Sequence, residues 1–304
     1  MSLLVGSSRR RLLLWTGWVV AALCALPVFE GWRYTAVVIC SAVILAMLPG
    51  ALPPRVSPSG PTSDLAVIAV LYVVVVALMR VAFVVFGVDQ IPGLFLSFSA
   101  ALLLGVLGPL VYTVWFRGGR LRDLGLRLDN WRQTALLAAL LGAVQFAFTL
   151  WGYRLPEPVN WVPLLCMALV VGVFESVFFR GFIQNRLSEH FGPAAGVGGA
   201  AVLYGLYHVG YGMGGAEIVF LTGLGVVYAI AFSLTRNVLI LWPLLTPLGS
   251  FYANVTAGDI ELPWMAILGF ADVALLMVAA MLLSYRRERR GLHRYGGPPA
   301  RVSA

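Results

Sequence analysis

The chain is 304 residues long, 60% hydrophobic and only 11% charged, with a mean hydropathy of +0.90, whereas a soluble domain carries about 25% charged residues. A soluble fold is thereby excluded, and several apolar runs exceed the roughly 18 residues that mark a bilayer span. The net charge of +8 rests on arginine alone, since the chain has no lysine, and these arginines fall in short loops between apolar runs, where they set membrane orientation rather than bind nucleic acid.

The start, Arg9 to Arg11 followed by Leu12 to Leu26, imitates a secretory signal peptide. No small-residue cleavage site follows it and further spans do, so it reads as an uncleaved first helix. About ten spans can be drawn, near 12–29, 34–50, 64–88, 92–115, 133–153, 161–183, 195–212, 216–234, 237–255 and 263–284. Runs of this length without alternation cannot be barrel strands, so the expected fold is all-α, a polytopic transmembrane helix bundle. With the N-terminus inside, the inner loops collect Arg9 to Arg11, Arg55, Arg117, Arg120, Arg122, Arg127, Arg132, Arg186, Arg236 and the tail from Arg286 onward. The outer loops keep only Arg33 and Arg154, together with Glu30, Asp89, Glu157, Asp259 and Glu261. That asymmetry predicts cytoplasmic N and C termini.

The Pro-, Ser- and Gly-rich stretch from Ala51 to Thr62 reads as a linker. It divides a two-helix N-terminal addition and its linker, 1–62, from an eight-helix membrane core, 63–285, and a basic tail, 286–304, expected to be disordered against anionic lipid. The inner loop from Phe116 to Gln133 is compatible with a short interfacial helix anchored by Trp131, or with plain topogenic charge. Cys24, Cys40 and Cys166 lie within apolar segments, without the spacing of a metal or disulfide framework, and read as small core residues.

Chemistry concentrates in the sixth span and after. A carboxylate at membrane depth costs roughly 3 kcal/mol or more unless it faces a polar cavity or partner, and Glu175 lies inside the apolar run VVGVFESVFFRGF. Helical spacing puts Ser176 and Arg180 on one face, with Arg180 near enough to the inner surface to snorkel to water. In the seventh span His208 follows Tyr204 by one turn, and Gly205, Gly210 and Gly212 allow close helix approach. A lone His is more often a hydrogen-bonded core residue than a catalyst, but a buried Glu on the preceding span favours a shared polar site. The ninth span carries Pro243 and Pro247, with Thr246, Ser250 and Asn254 along one stripe, which reads either as a kink or as a break lining a cavity. Arg80 in the third span and Asp272 in the tenth fall at matching depths and are expected to form a structural ion pair.

The pattern E-S-x-x-x-R at Glu175 to Arg180, Y-x-x-x-H at Tyr204 to His208 and a polar motif on a Pro-containing helix resembles the CPBP family of membrane proteases. That family includes the type II CAAX prenyl endopeptidases and the bacteriocin-processing and immunity proteins. The likeness spans about 121–285, beginning at the loop LRDLGLR. The resemblance implies that Glu175 activates a water, that His208 assists it and that Arg180 is a structural cation. Thr246 and Ser250, with Ser176 and Tyr204, become candidates for the oxyanion site and pocket. The sequence departs from the family's E-E-x-x-x-R, F-x-x-x-H and H-x-x-x-N: Ser176 stands at the second Glu, Tyr204 at the Phe, and Thr246 and Ser250 at the His and Asn. Ser176 removes the natural partner of Arg180, and hydroxyls are weaker oxyanion donors.

Glu175 and His208 alone are too few for a three-ligand zinc site, so no cofactor is expected, although a divalent ion stays open. The expected function is an intramembrane endopeptidase in the inner (plasma) membrane of a bacterium. Its substrate would be a membrane-associated peptide entering from the cytoplasmic side; nucleic acid is not an expected partner. The alternative is a catalytically impaired relative acting as a membrane scaffold or an immunity or partner-binding protein. A transporter is disfavoured because only one span looks broken and no internal repeat is visible.

Overall fold

Inside a bilayer the backbone has no water to bond to, so each apolar run must satisfy its own N–H and C=O groups as a helix. The structure, a computed structural model, describes residues 2–52, 60–87, 90–149, 170–242 and 244, together with 275, 278, 279, 282, 285 and 286. Among these residues every regular element is helical. The helices are α1 (Ser2–Cys24), α2 (Gly31–Ala46), α3 (Ser63–Phe86), α4 (Ile91–Phe116), α5 (Trp131–Thr149), α6 (170–191), α7 (Pro193–Tyr207) and α8 (Gly215–Thr235). Short 3₁₀ turns follow α7 at His208–Tyr211 and α8 at Val238–Leu241. By length and composition α3, α4 and α8 can cross a membrane, and α2 is a shorter apolar helix. The expected ninth and tenth spans, with the first part of the sixth, fall outside the described residues, as do Cys166, Thr246, Ser250, Asn254 and Asp272.

The outer face of α3 presents Val70, Val73, Val74, Val81, Val84 and Val85 to the surroundings. So continuous an apolar surface suits lipid and would be insoluble in water. Inside, α8 is the helix against which others lean. Gly205 of α7 lies so close to α8 that an added Cβ would fall 2.0 Å from Thr222 Oγ1 and 2.9 Å from the Ile218 carbonyl. The α2 helix docks on the other side, with Thr35 donating to the Val219 carbonyl at 2.7 Å and Tyr34 meeting Phe220 at 5.3 Å between ring centres. Trp18 of α1 donates to Ser41 of α2 at 3.0 Å. The first two helices thus join the same apolar core as the rest.

The loop between α4 and α5 differs from an interfacial helix. It forms one 3₁₀ turn, Leu121–Leu124, and then reverses at Gly125, whose φ of 72° favours glycine. Leu124 is wholly buried, the Gly125 carbonyl accepts from Val238 N–H at 3.0 Å, and Asn185 donates to the Asp123 carbonyl at 3.0 Å. Asn237 donates to the Arg127 carbonyl and Asn130 to that of Thr235. The backbone of this loop therefore plugs the bundle, while Arg117, Arg127, Arg186 and Arg236 gather at that same end. Asp64 at the start of α3 is fully buried there. It accepts from Tyr112 at 2.8 Å and faces Arg117 at 3.2 Å and His190 at 3.3 Å, while Arg117 and Arg186 both hold Glu189. The two described cysteines depart from the core reading. Cys40 lies on the exposed face of α2 and Cys24 is half-buried, because α2 buries Tyr34, Thr35 and Val38 instead.

Candidate active site

The α6 helix does not wind uniformly. It is α-helical over 170–175, π-helical from Ser176 to Gln184, and α-helical again from Asn185 to Phe191, where Gly192 and Pro193 end it. The wider π turn undoes the simple four-residue spacing between Ser176 and Arg180, and such stretches occur often at functional sites. Phe174, Phe178, Phe179 and Phe182 are wholly buried around it. Gly181 is wedged against the α4–α5 loop, with the Leu124 carbonyl 2.2 Å from where a Cβ would stand.

Glu175 is 5% exposed and is held by tyrosines from α7. Tyr204 donates to its Oε2 at 3.2 Å and Tyr207 donates to its Oε1, while the Tyr207 and Tyr211 hydroxyls lie 3.1 Å apart. The tyrosine rings are fixed in turn by Phe179, 4.8 Å from Tyr207 and 5.4 Å from Tyr204. His208 sits at the end of α7, 6% exposed, its ring 4.2 Å from that of Tyr207. Its Nδ1 lies 2.8 Å from the Tyr204 carbonyl. A carbonyl can only accept, so the neutral ring carries its proton on Nδ1 and leaves Nε2 as an acceptor. The structure therefore brings Glu175 and His208 into one layer through Tyr207. Among the described residues no hydrogen bond joins the two directly.

Arg180 corrects the sequence reading. Its side chain is fully buried rather than reaching water, because α6 runs on to Phe191 and the α4–α5 loop covers the level at which snorkelling would end. The guanidinium stands 5.0 Å from the centre of the Tyr204 ring, a cation–π arrangement. Among the described residues neither its three nitrogens nor the hydroxyl of buried Ser176 has a hydrogen-bond partner. Arg80 donates to the Val209 carbonyl at 3.0 Å and so pins the chain just after His208. Its pairing with Asp272, and the places of Thr246 and Ser250, lie outside the described residues. Among the described residues no three His, Cys, Asp or Glu side chains converge in a way that could hold a metal ion.

Tyr207 and Tyr211 are the site residues that motif reasoning misses. A signal was present: Tyr204, Tyr207 and Tyr211 follow at i, i+3 and i+7, one helix face, next to the His. Asp64 with His190 had no comparable signal, since their 126-residue separation is closed only by the fold.

Residues 156–246 match a family model described as Rce1-like, type II CAAX prenyl endopeptidase Rce1-like. The matched stretch contains Glu175, Arg180, Tyr204 and His208. Comparison with curated proteins and with solved structures returned no significant match. The apolar helices and this match together make the chain an integral membrane protein that belongs to the CPBP family, on its type II CAAX prenyl endopeptidase side.

Proposed function

We propose that the protein is an intramembrane endopeptidase in which Glu175 activates water for peptide-bond hydrolysis with the help of His208. The observation that carries this reading is the burial of a carboxylate in an aromatic layer that also holds an imidazole with an acceptor nitrogen. Glu175 takes a proton from water as the water oxygen bonds to the peptide carbonyl carbon. His208 Nε2 accepts from the same water or from the next one. The tetrahedral intermediate then expels the amine, which leaves with a proton returned by the acid. Thr246 and Ser250 are proposed to donate to the oxyanion, and Ser176 and Tyr204 to line the pocket. Hydrogen bonds in so dry a site are worth more than in water.

The family and the apolar helices support a membrane-associated peptide substrate. The gathering of arginines at one end supports an inward orientation in a bacterial inner membrane, with substrate entering from the cytoplasmic side. An Arg80 to Asp272 ion pair, an N-terminal addition at 1–62, a core at 63–285 and a basic tail at 286–304 complete the reading. In the purified, detergent-solubilised full chain, Glu175→Ala abolishes cleavage of a membrane-anchored peptide; unchanged cleavage ends the proposal.

A second reading has its own support. Both oxygens of Glu175 are occupied by tyrosine hydroxyls and Arg180 lacks its usual acid, as in a family member that has turned from cleavage to binding a membrane partner. Stoichiometric co-purification of one protein, unaffected by Glu175→Ala, together with absent cleavage, selects that reading.

A further inference from the structure

A cavity of about 800 Å³ lies away from Glu175, between the N-terminal helix pair and the α6 to α8 layer. Its size is in the upper part of the range of roughly 300–1,000 Å³ that small-molecule sites occupy. Apolar side chains make its walls, among them Trp15, Val43, Val197, Val202, Val226 and Ile230. Its polar side chains include Arg11, Arg236 and Gln184, and no acidic residue is among its lining residues. The cavity reaches the arginine-rich end of the bundle, where Asn185 and Ser188 also border it.

Three details indicate what would fill it. Arg11 gives its Nε to the Gly50 carbonyl at 3.2 Å, and among the described residues its terminal nitrogens have no partner. Arg236 terminates α8 with a φ of 51°, the one positive value at a non-glycine position among the described residues, and its guanidinium is exposed and equally unpaired. Gln184 is 3% exposed, and its amide nitrogen is committed to the Ala229 carbonyl at 2.9 Å and Ser233 Oγ at 3.0 Å. Its Oε1 has no hydrogen-bond partner among the described residues. The lining thus offers a long apolar surface, two cations and a buried acceptor that needs a donor. Basic pockets between membrane helices hold anionic headgroups in this way.

We propose that this cavity binds one anionic glycerophospholipid, its acyl chain between the N-terminal pair and α7–α8, its phosphate at Arg11 and Arg236, and a headgroup hydroxyl donating to Gln184. A zwitterionic lipid is disfavoured, because its ammonium meets two arginines and no carboxylate. The site is independent of the hydrolase reading, and its test needs no activity.

The test uses the full chain purified in mild detergent, with bound lipid identified by native mass spectrometry and thermal unfolding followed as lipid is added. Phosphatidylglycerol is expected to remain bound at one per chain and to raise the unfolding temperature. Phosphatidylcholine, glycerol phosphate and inorganic phosphate at equal concentration are expected to do neither. Arg11→Gln, at a partly exposed position, weakens phosphatidylglycerol binding about fivefold, as does Arg236→Gln. Gly198 lines the cavity, and a Cβ there meets nothing within 4 Å. Gly198→Phe therefore fills the space without a backbone clash and removes the bound lipid. Equal retention of phosphatidylcholine overturns the proposal, as does retention untouched by both Arg11→Gln and Gly198→Phe. Stabilisation by inorganic phosphate alone replaces the lipid with a simple anion and overturns it too.

Discussion

Tyr207→Phe isolates the contact on which the site's geometry depends. The ring is kept, so its packing against Phe179 at 4.8 Å and His208 at 4.2 Å survives and no cavity opens. What is lost is one hydroxyl that donates to Glu175 Oε1. A hydrogen bond to a charged group contributes about 1.5–3 kcal/mol, and a neutral one about 1 kcal/mol. The Tyr204 bond, at 3.2 Å, is the longer of the two and cannot replace it. Tyr207→Phe should therefore lower stability by about 1.5–3 kcal/mol in the wild-type background and by about 1 kcal/mol beside Glu175→Gln, whose amide oxygen accepts a neutral bond. The coupling expected from the four proteins is about 0.5–2 kcal/mol. Reversible unfolding in mixed micelles, followed by tryptophan fluorescence, gives all four values. Identical losses in both backgrounds, within about 0.3 kcal/mol, would mean that Tyr207 does not hold the acid, and the layer joining Glu175 to His208 would have to be abandoned.

Gly181→Ala drives a Cβ to within 2.2 Å of the Leu124 carbonyl, so the α4–α5 loop must shift; overpacking of this kind costs about 1–3 kcal/mol, measurable as a lower unfolding midpoint. An unchanged midpoint would show that the loop does not plug the bundle there. Asp64→Asn removes the charge faced by Arg117 and His190 while keeping the shape. Because Asp64 is fully buried and Arg117 only partly so, the loss should be about 2 kcal/mol or more, and it should shrink when Arg117→Gln is added; simple additivity would refute the pairing.

Much of the bundle was legible as sequence. The run from Ser63 to Phe86 and that from Gly215 to Thr235 appear within a residue or two of where hydropathy places them, and His208 lies one turn beyond Tyr204 with its Nδ1 on that residue's carbonyl. Glu175 stood out because an acid in an apolar run needs a reason. Arg180 went wrong for an equally physical cause. Its fate depended on whether α6 stopped near the surface, and that depended on a loop some sixty residues earlier folding back over Gly181.

The amino-acid pattern alone determined that the chain is helical and membrane-embedded, because a backbone in lipid must close its hydrogen bonds within the segment whatever surrounds it. It also determined which ions are costly to bury. Only the tertiary structure decided which way each helix turns, since α7 and α8 are apolar on every side and their periodicity names no inward face. Close contacts at Gly205 and Gly225 set that rotation. The rotation in turn aims Tyr204 and Tyr207 at Glu175, buries Arg180 against Tyr204 and leaves the basic-rimmed cavity beside the first two helices.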